Sequence, residues 1–97
     1  MSKNLPSSLH LRVITPLKLM VETNVGEVSL PSLEGYLGIL PGHRPLVVIL
    51  GKGMISYKLA KKEVSIPVQG GFAEILPESV LVFTELGRDE SSQSPES

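Results

Sequence analysis

His10 and His43 are the only two imidazoles in the sequence, so any histidine chemistry must run through them. They stand far apart, with no close H-x-x-x-H pair, and a zinc centre built from both plus a carboxylate lacks the usual ligand spacing. No metal site is expected. Nucleophilic catalysis requires a serine or threonine beside a base that an acid orients. Ser29, Ser56 and Ser65 instead fall on alternating positions of extended stretches, where they face solvent, and no G-x-S-x-G elbow is present. Glu22, Glu27, Glu34 and Glu74 show no arrangement that suggests a paired-carboxylate cleft. Gly35 and Gly38 form a G-x-x-G, but the following helix and the Lys-Ser/Thr of a phosphate loop are missing. The expectation is a chain with no catalytic residue and no cofactor.

What the residues do specify is shape. Gly35–Pro45, GYLGILPGHRP, packs three glycines and two prolines between apolar residues. Glycine opens backbone angles closed to other residues, and proline fixes φ and removes an amide donor. The segment therefore encodes a preformed loop, with Gly38 among its turn residues and His43 locked between Gly42 and Arg44 as a contact residue. Gly70-Gly71 encodes a second sharp bend. Preformed turns beside outward apolar residues point to a binding surface rather than a reaction site.

The elements that must hold these turns are strands. Leu9, Leu11 and Val13 alternate with His10 and Arg12, which predicts a half-buried strand with His10 on the solvated or contact face. LKLMVE, VGEVSL, MISYKL, VSIPVQ, FAEIL and VLVFT read as further strands. Leu46–Leu50, wholly apolar between Pro45 and Gly51, predicts a strand buried on both faces. Pro31 is expected to interrupt pairing, Gly51-Lys52-Gly53 to turn, Ala60–Glu63 to cap a hairpin and Pro67 to mark an edge or bulge. No stretch offers three helical turns. The fold class is all-β, an antiparallel sandwich of about eight to ten short strands over 9–86. Residues 1–8 are expected to be a flexible start. Residues 87–97, GRDESSQSPES, contain nothing to bury and are expected to form a disordered polar tail.

Composition limits the function classes. The chain has 97 residues, 41% of them hydrophobic, enough for one domain near the lower end of self-sufficient cores. Two tyrosines and two phenylalanines are its only aromatics, so the core must be mostly Leu, Val and Ile. A net charge of −1 argues against nucleic acid as a partner. With no cysteine, disulfides and thiolate chemistry are out. MSKNLPSS carries no signal-peptide pattern. Leu46–Leu50 is far short of the roughly 20 apolar residues of a spanning helix, so no direct membrane insertion is expected.

Several of these segments together resemble one family, the amino-terminal β-sandwich of the epsilon subunit of F-type ATP synthases, the delta subunit of mitochondria. The resemblance runs from about Leu9 to Thr84. It rests on L-x-V-x-T-P at Leu11–Pro16, on Val25-Gly26-Glu27-Val28, and on Glu34-Gly35 leading into Leu37-Gly38-Ile39-Leu40-Pro41-Gly42-His43 and Pro45-Leu46. It closes on Gly70-Gly71-Phe72-x-Glu74-Ile75-x-Pro77, then Val80 and Val82. The resemblance implies a ten-stranded sandwich in the central stalk, with the gamma subunit and the c-ring as partners. It implies a peripheral position on the cytoplasmic face of a bacterial inner membrane. Carried over by position, it makes Ser32, Leu33, Glu34, Gly35, Tyr36 and Leu37 the foot loop on the c-ring, and Pro41, Gly42, His43 and Arg44 the contact with gamma.

Tyr36 and Arg44 depart from the family pattern, an aromatic in the foot loop and a cation in the P-G-H-x-P turn. Many members continue into two antiparallel helices. Only 13 residues follow Thr84, reaching about 20 Å even if wholly helical at 1.5 Å per residue. A short form without the helical hairpin is therefore expected, and neither the inhibitory arm nor the nucleotide site is carried over. The competing readings are a free-standing β-sandwich module for protein or carbohydrate, which the absence of Trp disfavours, and a small enzyme with a barrel-mouth site.

Overall fold

A computed structural model describes residues 6–87; the expected flexible start and polar tail fall outside that range except for Pro6–Ser8 and Gly87. The period-two alternation produces nine strands: β1 (Leu9–Ile14), β2 (Leu19–Val25), β3 (Val28–Ser32), β4 (Gly35–Ile39), β5 (Leu46–Ile49), β6 (Lys52–Leu59), β7 (Lys62–Gln69), β8 (Phe72–Leu76) and β9 (Ser79–Phe83). They form a five-stranded sheet, β2-β1-β9-β8-β5, and a four-stranded sheet, β4-β3-β6-β7. The all-β sandwich expected from the sequence is present. All pairings are antiparallel except β1 with β9, which run parallel.

The inward members of each alternation make the core. Leu9, Leu11 and Val13 of β1, with Ala73, Ile75, Val80 and Val82 of β8 and β9, lie at 0% exposure. They meet Val28, Leu30, Ile39, Ile55 and Val68 of the other sheet. Each such Leu, Ile or Val contributes about 1.5–3 kcal/mol by leaving water. Tyr57 is the one buried aromatic, and burial pushes its hydroxyl pKa up.

Four local expectations are corrected. Leu46–Leu50 is buried on one face only: Val48 and Leu50 enter the core, while Val47 and Ile49 are 62% and 55% exposed. Among the described residues nothing packs on the outer face of the five-stranded sheet here, so the outward side chains of β5 are uncovered. Pro31 does not interrupt β3; it pairs with Tyr36 of β4. Lys52 and Gly53 belong to β6, leaving Gly51 alone as the bend. The Gly35–Pro45 segment is not one loop, because Gly35–Ile39 is a strand and only the part after it turns. Pro67 does sit on an edge strand, β7, as its missing donor requires.

The sandwich has two differently equipped ends. At one, Ser32 bridges to Leu50, and the Leu33 N–H donates to the Ile49 carbonyl over 3.2 Å. The β3–β4 tip thereby meets the end of β5, where Ile49, Phe72, Phe83 and Ile14 stand in register across four strands. At the other end the Gly42 N–H donates to the Pro77 carbonyl over 2.7 Å, and the His10 N–H donates to the Glu78 carbonyl over 2.9 Å. The first end holds the Ser32–Leu37 segment; the second holds Pro41–Arg44.

Candidate functional site

The expected foot loop is the tip of the β3–β4 hairpin. Ser32 Oγ donates to the Gly35 carbonyl over 2.6 Å and accepts the Glu34 N–H over 3.2 Å, closing a two-residue turn on Leu33-Glu34. The left-handed step falls on Gly35, at φ +124°, where a side chain would be strained. Leu33 is left at the apex, 70% exposed but fixed through its amide. Beside it lies a depression of about 390 Å³ lined by Leu37, Val47 and Ile49 among others. An apolar side chain presented to water from a fixed backbone suits a docking anchor.

Tyr36 is 61% exposed, yet it has structural work to do. The β3–β6 ladder stops at Ser29–Ser56, and the Pro31 carbonyl is taken by the Gly51 N–H. The Met54 N–H donates instead to Tyr36 Oη, over 2.9 Å. Gly53 permits this, since a Cβ there would come to 2.5 Å from Tyr36 Oη and 2.7 Å from Pro31 Cβ. Tyr36→Phe is therefore expected to cost about 1 kcal/mol through the orphaned amide. A urea titration measures this, and an unchanged midpoint would make that hydrogen bond idle.

At the opposite end Pro41-Gly42 forms a tight turn with Gly42 at φ +89°. The His43 N–H donates to the Leu40 carbonyl over 3.2 Å, and His43 Nδ1–H donates to the Arg44 carbonyl over 2.8 Å. The ring is thus oriented by its own turn, and among the described residues Nε2 has no partner. Arg44 is exposed. Of the three expected turn glycines, Gly70 and Gly71 have φ of +76° and +102° and make the bend from β7 to β8. Gly38 lies inside β4 opposite Ser29, in ordinary strand geometry.

The outer face of the five-stranded sheet was not singled out by the sequence. Its upper row is Ile14, Phe83, Phe72 and Ile49, with the two phenyl centroids 5.0 Å apart. The signal was present in FAEIL, whose Phe72 and Leu76 occupy the positions alternate to buried Ala73 and Ile75. Below that row, His10 Nδ1 faces Asn24 Oδ1 at 3.0 Å and Nε2 faces Glu22 Oε2 at 2.9 Å. Those two bonds, Asn24 first, hold the imidazole above its ordinary value near 6.5, with Arg12 opposing. The pairing therefore adds stability below about pH 6.5 and loses it as pH rises through the folded value. Among the described residues no three His, Asp or Glu side chains gather as a metal-holding group. None of the described helix-free chain offers a helix able to cross a membrane.

Residues 8–86 match the family model described as ATP synthase, Delta/Epsilon chain, beta-sandwich domain. The chain is 42% identical over 82 residues to the ATP synthase epsilon chain of Solibacter usitatus, covering 84% of this chain and 61% of that one. It is 42% identical over 78 residues to the epsilon chain of Lawsonia intracellularis, covering 80% and 59%. It thus spans about three-fifths of the length of these relatives. Among solved structures it is similar in fold to a chain of the Euglena gracilis mitochondrial ATP synthase OSCP/F1/c-ring structure. The TM-score is 0.83 at 21% identity, over 99% of this chain and 62% of that one. A chain of the Tetrahymena thermophila mitochondrial ATP synthase central stalk/c-ring structure gives a TM-score of 0.72 at 12% identity, over 92% and 72%.

Proposed function

This chain belongs to the ATP synthase delta/epsilon family through its β-sandwich domain, and on that premise we propose that it is a non-catalytic central-stalk subunit. It links the gamma shaft to the c-ring and so couples ion translocation to ATP synthesis. The Leu33-Glu34 tip, with Ser32, Gly35, Tyr36 and Leu37, rests on the ring. The Pro41–Arg44 turn meets gamma. The complex holds the chain at the cytoplasmic face of a bacterial inner membrane.

The observation that carries this reading is the position of two fixed turns at opposite ends of one strand. β4 runs from Gly35 to Ile39, about 16 Å at the usual strand rise. Both ends are tied by backbone bonds to the five-stranded sheet, Leu33 to Ile49 of β5 and Gly42 to Pro77 in the β8–β9 turn. A body that passes torque between two machines needs contacts that do not flex, and preordered contacts also avoid the ordering cost of flexible interfaces.

The test uses the full chain with purified gamma subunit and purified c-ring. Micromolar or tighter association with each is expected. The double substitution His43→Ala with Arg44→Ala should weaken the gamma contact by about tenfold, a loss of about 1.4 kcal/mol, and spare the ring contact. No association with either partner at micromolar concentration overturns the proposal.

A further inference from the structure

On the outer face of the five-stranded sheet, one ion pair that the register offers is not made. Arg12 of β1 stands directly opposite Glu22 of β2, while His10 stands opposite Asn24. Directly opposed side chains lie within about 5 Å at Cβ, the usual distance for a cross-strand pair. Glu22 nevertheless leans diagonally to His10, and its Oε2 takes the imidazole at 2.9 Å. Arg12 is left without a salt bridge among the described residues, and its Nε is shut off from solvent with no hydrogen-bond partner. That N–H lies out of an incoming anion's reach, but the guanidinium charge has no counter-ion among the described residues, and a carboxylate at its outer end would supply one.

The two ring nitrogens of His10 both face oxygen acceptors. Only the doubly protonated ring donates to both. With Asn24 presenting its Oδ1, this is the arrangement the imidazolium makes, and the imidazolium competes with Arg12 for one carboxylate. Loss of the ring proton removes the charge that draws Glu22 sideways and leaves Arg12 as the cation directly across from it. The other groups facing this cluster do not compete. Leu81 lies opposite Arg12 on β9, Ser79 lies opposite His10, Glu78 offers its carbonyl to the His10 N–H, and Glu74 is two strands from Arg12.

We propose that Glu22 is a proton-operated gate on a carboxylate-binding site at Arg12: protonated His10 holds Glu22 aside and frees the guanidinium for an acidic side chain of a docked protein. The chemistry of that partner is set by what surrounds Arg12. The Ile14–Phe83–Phe72–Ile49 row runs beside it, so the fitting surface is apolar and carries one Asp or Glu. Deprotonation of His10 returns Glu22 to Arg12 and closes the site.

NMR of the side-chain Nε–H of Arg12 and the ring of His10 in the isolated chain, from pH 5 to 9, tests the gate, with acetate as the probe anion. The Arg12 signal is expected to move with the same midpoint as His10. Acetate should bind at Arg12 about threefold more tightly at the acid end, the scale of one exposed ion pair. Glu22→Gln should give the acid-end acetate affinity at every pH, and His10→Gln the alkaline-end affinity at every pH. An Arg12 signal that ignores pH, a midpoint that is not that of His10, or no acetate shift in Glu22→Gln would each overturn the proposal. None of these measurements involves gamma or the c-ring, so the stalk assignment stands or falls separately.

Discussion

Gly71→Ala is expected to lower the melting temperature by about 15 °C or more, through a loss of about 3–5 kcal/mol at 4–8 °C per kcal/mol for a domain of this size. Gly70-Gly71 is where the chain leaves β7 of one sheet and enters β8 of the other. A Cβ on Gly71 would strike the Phe83 carbonyl oxygen and come to 2.8 Å from Thr84 Cα. These are backbone atoms of β9 and its exit, so no rotamer change relieves the clash. The surroundings are tied as well: the Leu50 N–H donates to the Gly71 carbonyl over 2.9 Å, the Gly70 N–H to the Gly51 carbonyl over 3.1 Å, and Thr84 Oγ1 to the Gly70 carbonyl over 2.5 Å. Relief requires breaking some of these at about 1 kcal/mol each, on top of 1–2 kcal/mol for the left-handed backbone.

Gly70 supplies the control. It too has positive φ, but nothing lies within 4 Å of the Cβ it would gain. Gly70→Ala should therefore cost only the backbone strain, about 1–2 kcal/mol. Urea unfolding of the two variants at a common slope separates strain from collision. Equal midpoints for both would show that the close approach of β9 to Gly71 does not govern the bend.

Much of this was legible in the chain because glycine pairs and alternation are local signals. FAEIL gave β8 to the residue, and Gly70-Gly71 gave the bend before it. The failures share one cause, which is that local pattern does not reveal neighbours. LVVIL has the composition of a doubly covered strand, but among the described residues nothing covers Val47 or Ile49 on the outer face of the sheet. Pro31 looked like a breaker, but its neighbour across the ladder, Tyr36, supplies the hydroxyl that takes the spare amide of Met54. The parallel pairing of β1 with β9 joins the two ends of the sandwich domain, a separation no window can span. The Arg12–Glu22–His10 triangle depends on a register between strands and could not be read from spacing along one.

Leu33→Asp carries the second large effect, and it falls on assembly rather than on folding. The side chain is 70% exposed at the hairpin apex, so its loss leaves no cavity and the domain should unfold within about 0.5 kcal/mol of the parent. Affinity for the c-ring is expected to fall about 30-fold or more, the roughly 2 kcal/mol of an interface anchor, because a carboxylate must now be desolvated where an apolar group docked. Leu33 can act as an anchor because it is already ordered: its amide is bonded to Ile49, and Ser32 Oγ braces the turn from both sides. The apex backbone has little entropy left to lose on docking, so only the rotamer freedom of the side chain is set against the apolar contact. Leu59→Asp is the matching change on the far hairpin, at 45% exposure and remote from the tip. It should leave ring binding within about twofold, about 0.4 kcal/mol. Binding of both variants to purified c-ring decides the matter, because equal losses would mean that charge alone, and not the apex, controls the contact.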